Sequence, residues 1–269
     1  MSVRLLVLVV SLTACGEKFV TVADAGPDGS PADGGGPRIS IVQATSTQIV
    51  GNVDPTLSLQ TPPAVGNAVI VGITCFSDID NCTIPPTGVT DNQNNTWLRV
   101  IEGNSIISSN THGSRGYIFV AESIGPTSGA FTIRVNPNGD PPTNVQNFAW
   151  GAIEVAGLAP SGTLDRTGAT PATCCNTSTT VSTSGATTVA NELAVAVHTA
   201  RSNDGDVAYG IDPSWTQQHV NVNGVSTASP HSMVTRVLGA TGIVSHTWTH
   251  HAPTRGASAV IATFKGRVQ

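Results

Sequence analysis

Lysine, and charge in general, is scarce in this sequence. Lys18 and Lys265 are its only lysines, charged residues make up 11% of the 269 residues, and the formal net charge is −5. Globular chains usually carry roughly 25% charged residues. Nucleic-acid binding needs clustered basic side chains that neutralise phosphates, and this chain has none. We therefore expect no nucleic-acid partner.

Aromatic residues (4%) and helical periodicity are also scarce, and no stretch sustains apolar residues at helical spacing. Glycine (28 residues) and proline (17 residues) interrupt the chain often, between short runs rich in Val and Thr. β-branched residues favour strands, whereas Gly, Pro and Asn favour turns. The composition predicts an all-β fold.

The sequence motifs of common enzymes are missing as well. We find no G-x-S-x-G elbow, no P-loop, no dinucleotide fingerprint and no HExxH. The sequence therefore predicts a protein that is not an enzyme and that acts in binding, adhesion or envelope structure. The alternative left open is an extracellular enzyme or carbohydrate-binding protein for polysaccharide, in which two scattered carboxylates meet in space.

The first 14 residues have the pattern of an export signal. Arg4 precedes an apolar run, Leu5 to Val10, that is too short to span a bilayer of about 30 Å. Leu12-Thr13-Ala14-Cys15 resembles the bacterial lipobox, which implies cleavage before Cys15 and a lipid on that cysteine. The resemblance predicts a lipoprotein at the outer membrane or surface of a Gram-negative bacterium. An ordinary secretory signal with an incidental cysteine, or a retained helix, is the alternative.

Residues 15–37 are predicted to be the lipidated cysteine and a disordered tether. This stretch is rich in Gly, Pro and Asp and has no large apolar residue after Val22. Such a segment buries too little surface to offset the entropy of ordering. The tether would hold the rest of the chain, residues 38–269, away from the membrane, leaving it free to meet an extracellular glycan or protein.

Four segments of this body recur in the same order. The matched pairs are Val65–Ile73 with Val189–Val197, Trp97 with Trp215, Phe119–Val135 with Val234–His250, and Gly151–Leu158 with Ser258–Gly266. We predict an internal duplication that gives two tandem antiparallel β-sandwiches, Ig-like or jelly-roll-like, over 38–158 and 159–269. The alternatives are one larger jelly roll built from both copies, or chance similarity among Val/Thr-rich strands.

Three short motifs resemble β-sandwich repeats of large secreted bacterial proteins. They are VTDNQNNTW (Val89 to Trp97), ANELAVAV (Ala190 to Val197) and AVIATFKG (Ala259 to Gly266). The resemblance implies an architecture and carries no settled activity.

Four cysteines remain once Cys15 is set aside: Cys75, Cys82, Cys174 and Cys175. An exported chain meets oxidising conditions, so we predict disulfides. We favour a Cys75–Cys82 bond, with the adjacent pair forming a vicinal disulfide or staying reduced. A cross-pairing between the two copies is the rival.

Histidines concentrate in the second copy, where six of the seven lie. His246, Trp248 and His250 alternate along a predicted strand and would share one face. Their counterparts in the first copy are roughly Phe131, Ile133 and Val135, which form a core-like set. The hypothesis is that His246 and His250 form a ligand-binding pair, for which a transition metal is one candidate. The alternative is two half-buried structural histidines.

Two polar runs offer oxygen atoms suited to calcium. Asp91 and Asn95 lie in the first, and Asp204 and Asp206 lie in the second. Neither run completes an EF-hand, and Asp-Asn or Asp-Gly runs between strands are usually turns. Calcium binding is therefore left as a hypothesis, and no other cofactor is expected.

Tryptophans are the remaining candidates for sugar stacking. Trp97 and Trp215 occupy matched positions in the two copies, which favours a place in the core. Trp150 has no such counterpart and is the candidate for stacking on a carbohydrate ring.

Overall fold

A computed structural model describes residues 38–50, 55–77, 83–106, 113–136, 145–173, 176–201, 209–221, 231–250 and 256–268. Strands and connecting turns make up these residues, and no helix occurs among them. The strands are β1 (Ser40–Val50), β2 (Thr56–Ser58), β3 (Ala68–Ser77), β4 (Val89–Asp91), β5 (Leu98–Ile106), β6 (Gly113–Ala121), β7 (Thr132–Val135), β8 (Val145–Ala156), β9 (Leu164–Thr173), β10 (Ser178–Ser182), β11 (Glu192–Arg201), β12 (Tyr209–Gly210), β13 (Thr216–Asn221), β14 (His231–Leu238), β15 (Ser245–His250) and β16 (Gly256–Lys265).

Strands β1 to β8 form two antiparallel sheets. The first large sheet has the order β1-β8-β3-β6-β5, and the first small sheet has the order β2-β7-β4. Strands β9 to β16 form a second large sheet, β13-β14-β11-β16-β9, and a second small sheet, β10-β15-β12. The prediction of an all-β antiparallel fold is confirmed.

The two halves of the chain have the same strand order. If β9 to β16 are matched in sequence with β1 to β8, the two large sheets agree strand for strand, and so do the two small sheets. Each of the four recurring segments falls at corresponding strands of the two halves. This agreement supports the predicted duplication, which remains a prediction, as do its boundaries at residues 158 and 159.

Three apolar cores separate four layers. One core lies between the first small and first large sheets and contains Trp150, Phe119 and Phe131. Another lies between the second large and second small sheets and contains Trp215 and Trp248. The third lies between the two large sheets and joins Ile70, Ile118 and Ile153 of the first to Val195, Val260 and Phe264 of the second. Gly35–Gln269 accordingly forms one compact unit.

Glycines on the first large sheet allow the second to pack closely against it. A Cβ atom on Gly72 would lie 2.6 Å from Val197 Cγ2, and one on Gly103 would lie 2.5 Å from Val260 Cγ1. Both distances are well below an ordinary carbon–carbon contact of about 3.5–4 Å. The first sheet therefore supplies bare backbone where the second supplies branched side chains.

One matched pair from the sequence comparison has the wrong register. Val69 packs in the core of the first sandwich, whereas Leu193 packs between the two large sheets. The neighbouring strands give the structural match. Phe119 on β6 pairs with Val71, and Val234 on β14, the counterpart of Phe119, pairs with Ala196. Val71 therefore corresponds to Ala196. The comparison was wrong by one residue, and a one-residue shift moves every side chain of a strand to the opposite face.

The cysteine and membrane predictions are tested only in part by the described residues. Cys75 is disulfide-bonded. Cys82, Cys174 and Cys175 lie outside the described residues, as do Cys15 and the whole of 1–37. The predicted connectivity, tether and lipid anchor therefore stay predictions. Within the described part of the chain, no helix is long and apolar enough to cross a membrane.

Candidate histidine site

Strand β15 turns three ring-bearing side chains into the core of the second sandwich. Its sequence, SHTWTH, alternates hydroxyl residues with His246, Trp248 and His250. Only 2% of His246, 0% of Trp248 and 7% of His250 is exposed, whereas Ser245 and Thr249 face outward. The predicted shared face is confirmed, and the period of two along a strand is its cause.

Strands β11 and β14 bring His198 and Ser232 against this face. The His198 ring stacks on Trp248 with centroids 4.9 Å apart and lies 5.0 Å from the His250 ring. Trp248 Nε1 donates a hydrogen bond of 3.0 Å to Ser232 Oγ. From the small sheet, Thr179 Oγ1 lies 3.0 Å from His250 Nε2. We call His198, His246 and His250 the histidine cluster.

His246 packs against both tryptophans of this core. Its ring centroid lies 4.3 Å from that of Trp248 in an edge-on arrangement and 4.8 Å from that of Trp215. Neither ring nitrogen of His246 has a hydrogen-bond partner among the described residues. An imidazole in this position is held by ring contacts and burial.

A second pair of histidines lies on the other face of the second large sheet. The rings of His219 and His231 are 5.0 Å apart. His231 is fully buried, and its Nδ1 lies 3.0 Å from Thr74 Oγ1 of the first large sheet. This contact crosses the layer between the two halves, so a histidine is part of their shared interface.

Burial keeps all five imidazoles neutral at neutral pH. It lowers the pKa of His219 and of His250 to about 4. It also lowers the pKa of His246 to about 4, against the attraction of the exposed Asp212 carboxylate. The pKa values of His198 and His231 lie well below the ordinary value, because both rings are fully buried and other histidines lie close by.

The first sandwich fills the corresponding positions with apolar side chains. Since Val71 corresponds to Ala196, Ile73 corresponds to His198 two residues further along the same strands. The sequence match already placed Phe131 and Val135 opposite His246 and His250. All three first-half residues are fully buried. Equivalent positions therefore form an apolar core in one sandwich and a histidine-bearing core in the other.

Metal binding by these histidines can be tested only against the residues that the structure describes. Among the described residues, no group of three or more His, Cys, Asp or Glu side chains is placed to hold a metal ion. The described part of the chain therefore gives no support to His246 and His250 as a metal pair. What the arrangement does offer chemically is a set of buried bases that acid would protonate.

The side-chain oxygens of Asp91 and Asn95, the first calcium candidates, accept hydrogen bonds inside a turn. Asp91 Oδ1 accepts hydrogen bonds from the backbone N–H of Gln93 and Asn95, at 2.7 and 3.3 Å, and Oδ2 accepts one from Trp97 Nε1 at 2.7 Å. Asn95 Oδ1 accepts a bond from the Gly125 N–H. These oxygens hold a turn together, which is the usual role of Asp and Asn between strands. Asp204 and Asp206 lie outside the described residues.

Trp150 was wrongly expected to stack on sugar. It lies on β8, facing the first small sheet, and none of it is exposed. A ring enclosed between two sheets presents no face to a glycan. Trp215 is buried and Trp97 is half-buried against the first core, so the expectation of core positions for that pair is confirmed.

Every described carboxylate has a role inside the body. Each one accepts a hydrogen bond or pairs with an arginine within the folded chain: Asp91, Glu102, Glu122, Glu154, Asp165, Glu192 and Asp212. Glu154 is representative, since it accepts bonds from Ala64 N–H, Asn67 Nδ2 and Gln43 Nε2 at 2.6 to 2.8 Å. Such carboxylates fix loops to strands.

Glu192 and Asp165 form a carboxyl pair in the second sandwich. Burial raises the pKa of Glu192, and a hydrogen bond with Asp165 raises it further. Burial acts in the same direction on Asp165, but hydrogen bonds from the Thr188 side chain and backbone lower its pKa overall. The two carboxyl groups therefore respond in opposite directions, with the pKa of Glu192 raised and that of Asp165 lowered.

A shallow depression of about 360 Å³ lies beside the start of β5 and the end of β6. Its lining combines amide, hydroxyl and carboxylate groups with one exposed leucine: Asn94, Asn95, Thr96, Leu98, Glu122 and Ser123. Glu122 is held there by the N–H groups of Gly162 and Thr163. The volume falls within the range of small-ligand sites, roughly 300–1,000 Å³.

Sequence reasoning found His246 and His250 but missed His198, Thr179 and Ser232. These three come from other strands, and their sequence neighbours are ordinary strand residues. A signal for His198 did exist: in the correct register it stands opposite Ile73, which is a core residue. The depression gave no signal, because it forms from two separate stretches of chain.

Comparisons with known proteins give no relative for this architecture. No protein-family model, no curated protein and no solved structure matches the chain.

Proposed function

We propose that this chain is a lipid-anchored exported protein whose β-sandwich body serves as a non-enzymatic binding module at the cell envelope. The observation that carries the proposal is the commitment of every described carboxylate to bonds inside the body. Hydrolysis of a polysaccharide needs two carboxyl groups facing a shared cleft, about 5 to 10 Å apart. The described carboxylates instead secure turns and loops.

The depression beside β5 is the proposed contact surface. Leu98 is 48% exposed there and lies beside the amide side chains of Asn94 and Asn95. An apolar side chain flanked by amides suits a neutral glycan or a short peptide, since both present hydroxyl or amide groups beside apolar carbon. Glu122 is the one charged residue of the depression's lining, which fits a ligand that is not strongly charged.

A binding assay with the full mature chain in detergent tests this proposal. We expect binding to envelope glycans or to intact cells that weakens about tenfold or more in Leu98→Asp. Asn94→Gly tests the amide separately from the leucine. It removes the Asn94 side chain without straining the backbone, because Asn94 has a φ of 60° and glycine adopts that conformation freely. Absence of binding to a glycan array and to cells would refute the binding role.

Hydrolytic assays separate the binding module from the enzyme alternative. If the chain cleaves extracellular polysaccharide and Glu→Gln substitution at one of the described carboxylates abolishes cleavage, the non-enzymatic proposal is wrong. Loss of cleavage together with loss of folding would not count, so circular dichroism of each variant belongs to the assay.

The anchor has its own test. Cys15→Ser should release the protein from the membrane fraction and abolish metabolic labelling by palmitate. A variant that keeps the label, or stays in the membrane after a high-salt wash, would show that the lipobox reading is wrong.

A further inference from the structure

The depression beside β5 combines apolar carbon with exposed polar groups. Leu98 is 48% exposed and pairs across the sheet with the buried Val120, which also lines the depression. Three further lining residues, Asn94, Thr96 and Ser123, are exposed and carry a carboxamide or a hydroxyl group. Apolar surface with a few placed polar groups is typical of small-ligand sites.

The second half of the chain holds the carboxylate of this depression in place. Glu122 Oε1 accepts hydrogen bonds from the N–H and the hydroxyl of Thr163, at 2.7 and 2.8 Å, and Oε2 accepts one of 3.0 Å from the Gly162 N–H. A carboxylate has about four lone-pair sites, so Oε2 keeps capacity for a further donor. Because these bonds fix the side chain beforehand, it loses little freedom when a ligand binds. Glu122 is therefore a preorganised acceptor for one N–H or O–H group.

The corresponding positions of the second half have different chemistry. Leu98 pairs with Val120 as Thr216 pairs with Thr235, so Thr216 is the counterpart of Leu98. In the same register Glu122 corresponds to Val237, which is 51% exposed. Of these corresponding positions, only those of the first half combine an exposed leucine with a carboxylate. A ligand that needs both groups would have one such site per chain.

An acetamido group matches this pair of residues. Its methyl group suits the exposed apolar surface of Leu98, and its N–H is a donor suited to the Glu122 carboxylate. Sugar hydroxyl groups both donate and accept hydrogen bonds, as do the hydroxyl groups of Thr96 and Ser123. A neutral sugar without the acetamido group would leave the leucine and the carboxylate unmatched. A peptide backbone also has N–H groups, but none of its atoms both donates and accepts as a hydroxyl does.

We propose that the depression binds an N-acetylhexosamine unit of an envelope glycan, with Leu98 against the acetamido methyl group and Glu122 accepting the acetamido N–H. This inference rests on the proposed binding function and names the ligand class for its contact surface. The polar side chains of Asn94, Thr96 and Ser123 would bind the sugar hydroxyl groups.

Calorimetric titration of the full mature chain in detergent with an N-acetylglucosamine tetramer tests this inference. The glucose tetramer of the same linkage is the matched ligand, because it differs by the acetamido group. We expect one equivalent per chain and binding at least about tenfold tighter for the acetylated tetramer. Equal or tighter binding of the glucose tetramer, or of an uncharged alanine tetrapeptide, would overturn the ligand class and leave the binding function standing. Absence of binding to all three ligands would overturn the inference, whereas the glycan-array and cell assays decide the binding function separately.

Two variants and a control assign the binding to the depression. Leu98→Asp should weaken binding of the acetylated tetramer by about tenfold or more, since it replaces an apolar contact with a charge. Val42→Asp is the matched control, because Val42 is 53% exposed and lies on β1, the opposite edge strand of the same sheet. Glu122→Gln should reduce the preference for the acetylated tetramer over the glucose tetramer. Equal weakening in Leu98→Asp and Val42→Asp, or an unchanged preference in Glu122→Gln, would overturn the assignment.

Saturation-transfer NMR on the unmodified chain gives a readout that does not depend on any variant folding. The acetyl methyl protons of the bound tetramer should receive more saturation from the protein than the sugar ring protons do. Stronger transfer to the ring protons than to the methyl group would show that the acetamido group does not face the protein.

Discussion

His198 stacks on Trp248 across the second sandwich, with ring centroids 4.9 Å apart and an interplanar angle of 25°. The two residues belong to strands of different sheets, β11 and β15. Trp248 is fixed in turn by its hydrogen bond to Ser232. A neutral histidine therefore forms part of the contact that joins the second small sheet to the second large sheet.

Stability should fall as the pH drops below 6.5. Each buried histidine has a folded-state pKa below its unfolded value of about 6.5, so the unfolded chain binds more protons between the two values. The stabilisation is complete above pH 6.5 and is lost as the pH falls towards 4, by about 1.4 kcal/mol per pH unit and per histidine. Urea unfolding at pH 7.5, 6 and 5 measures the slope, and a flat profile would contradict the neutral buried imidazoles.

His231→Ala should separate the packing contribution of a buried histidine from the effect of its proton uptake on stability. The variant loses the contact with Thr74 and leaves a cavity, so we expect a loss of about 2–4 kcal/mol at pH 7.5. It should also show a shallower decline in stability between pH 6.5 and 5 than the unmodified chain. An unchanged slope would mean that His231 does not take up a proton on unfolding in this range.

Gly72→Val should be destabilising because its side chain would collide with Val197 across the two large sheets. We expect a loss of about 2–3 kcal/mol in the free energy of unfolding. The double variant Gly72→Ala with Val197→Ala should be less destabilised, because the smaller side chain at position 197 leaves room for the added methyl group at position 72. Gly116→Ala is the control, because its Cβ would sit 3.5 Å from Val260, an ordinary contact. Equal losses of stability in Gly72→Val and Gly116→Ala would contradict the close approach of the two large sheets at Gly72.

Asp91→Ala should remove the acceptor that organises the turn before β5. It leaves Trp97 Nε1 and two backbone N–H groups without their partner, which predicts a loss of about 2–3 kcal/mol. Asp91→Asn keeps one carbonyl oxygen and should lose less. Calcium should not raise the Tm of the unmodified chain through this residue. A calcium-dependent rise that Asp91→Asn abolishes would support calcium binding at this residue.

Replacement by glutamine should destabilise the protein to different extents at Glu154 and at Glu192. Glu154→Gln places an amide donor against three donors and should cost about 2 kcal/mol or more. Glu192→Gln should cost less than Glu154→Gln, because burial raises the pKa of Glu192 and so makes its replacement by a neutral amide less unfavourable. Thermal unfolding of the two variants at pH 7.5 decides the comparison, and a larger loss of stability in Glu192→Gln would contradict this effect of burial.

Some of the fold and of the site follows from local patterns. The alternation in SHTWTH places His246 and His250 on one face whatever surrounds the strand, because successive side chains of a strand point to opposite sides. The comparison of the two copies is limited for the same reason, because it also uses only local patterns in the sequence. Val69 and Leu193 look equivalent in sequence, and only the pairing of β3 and β11 with their neighbours shows that they face different cores.

The sequence by itself determined the all-β class and the shared face of β15, since composition and a period of two act along the chain. Only the tertiary structure decided that Trp150 is enclosed, that Asp91 holds a turn, and that His198 meets Trp248. Those outcomes depend on which strands become neighbours across a layer. Burial, hydrogen-bond commitment and the pKa of an imidazole all come from such neighbours, and residues far apart in sequence supply them.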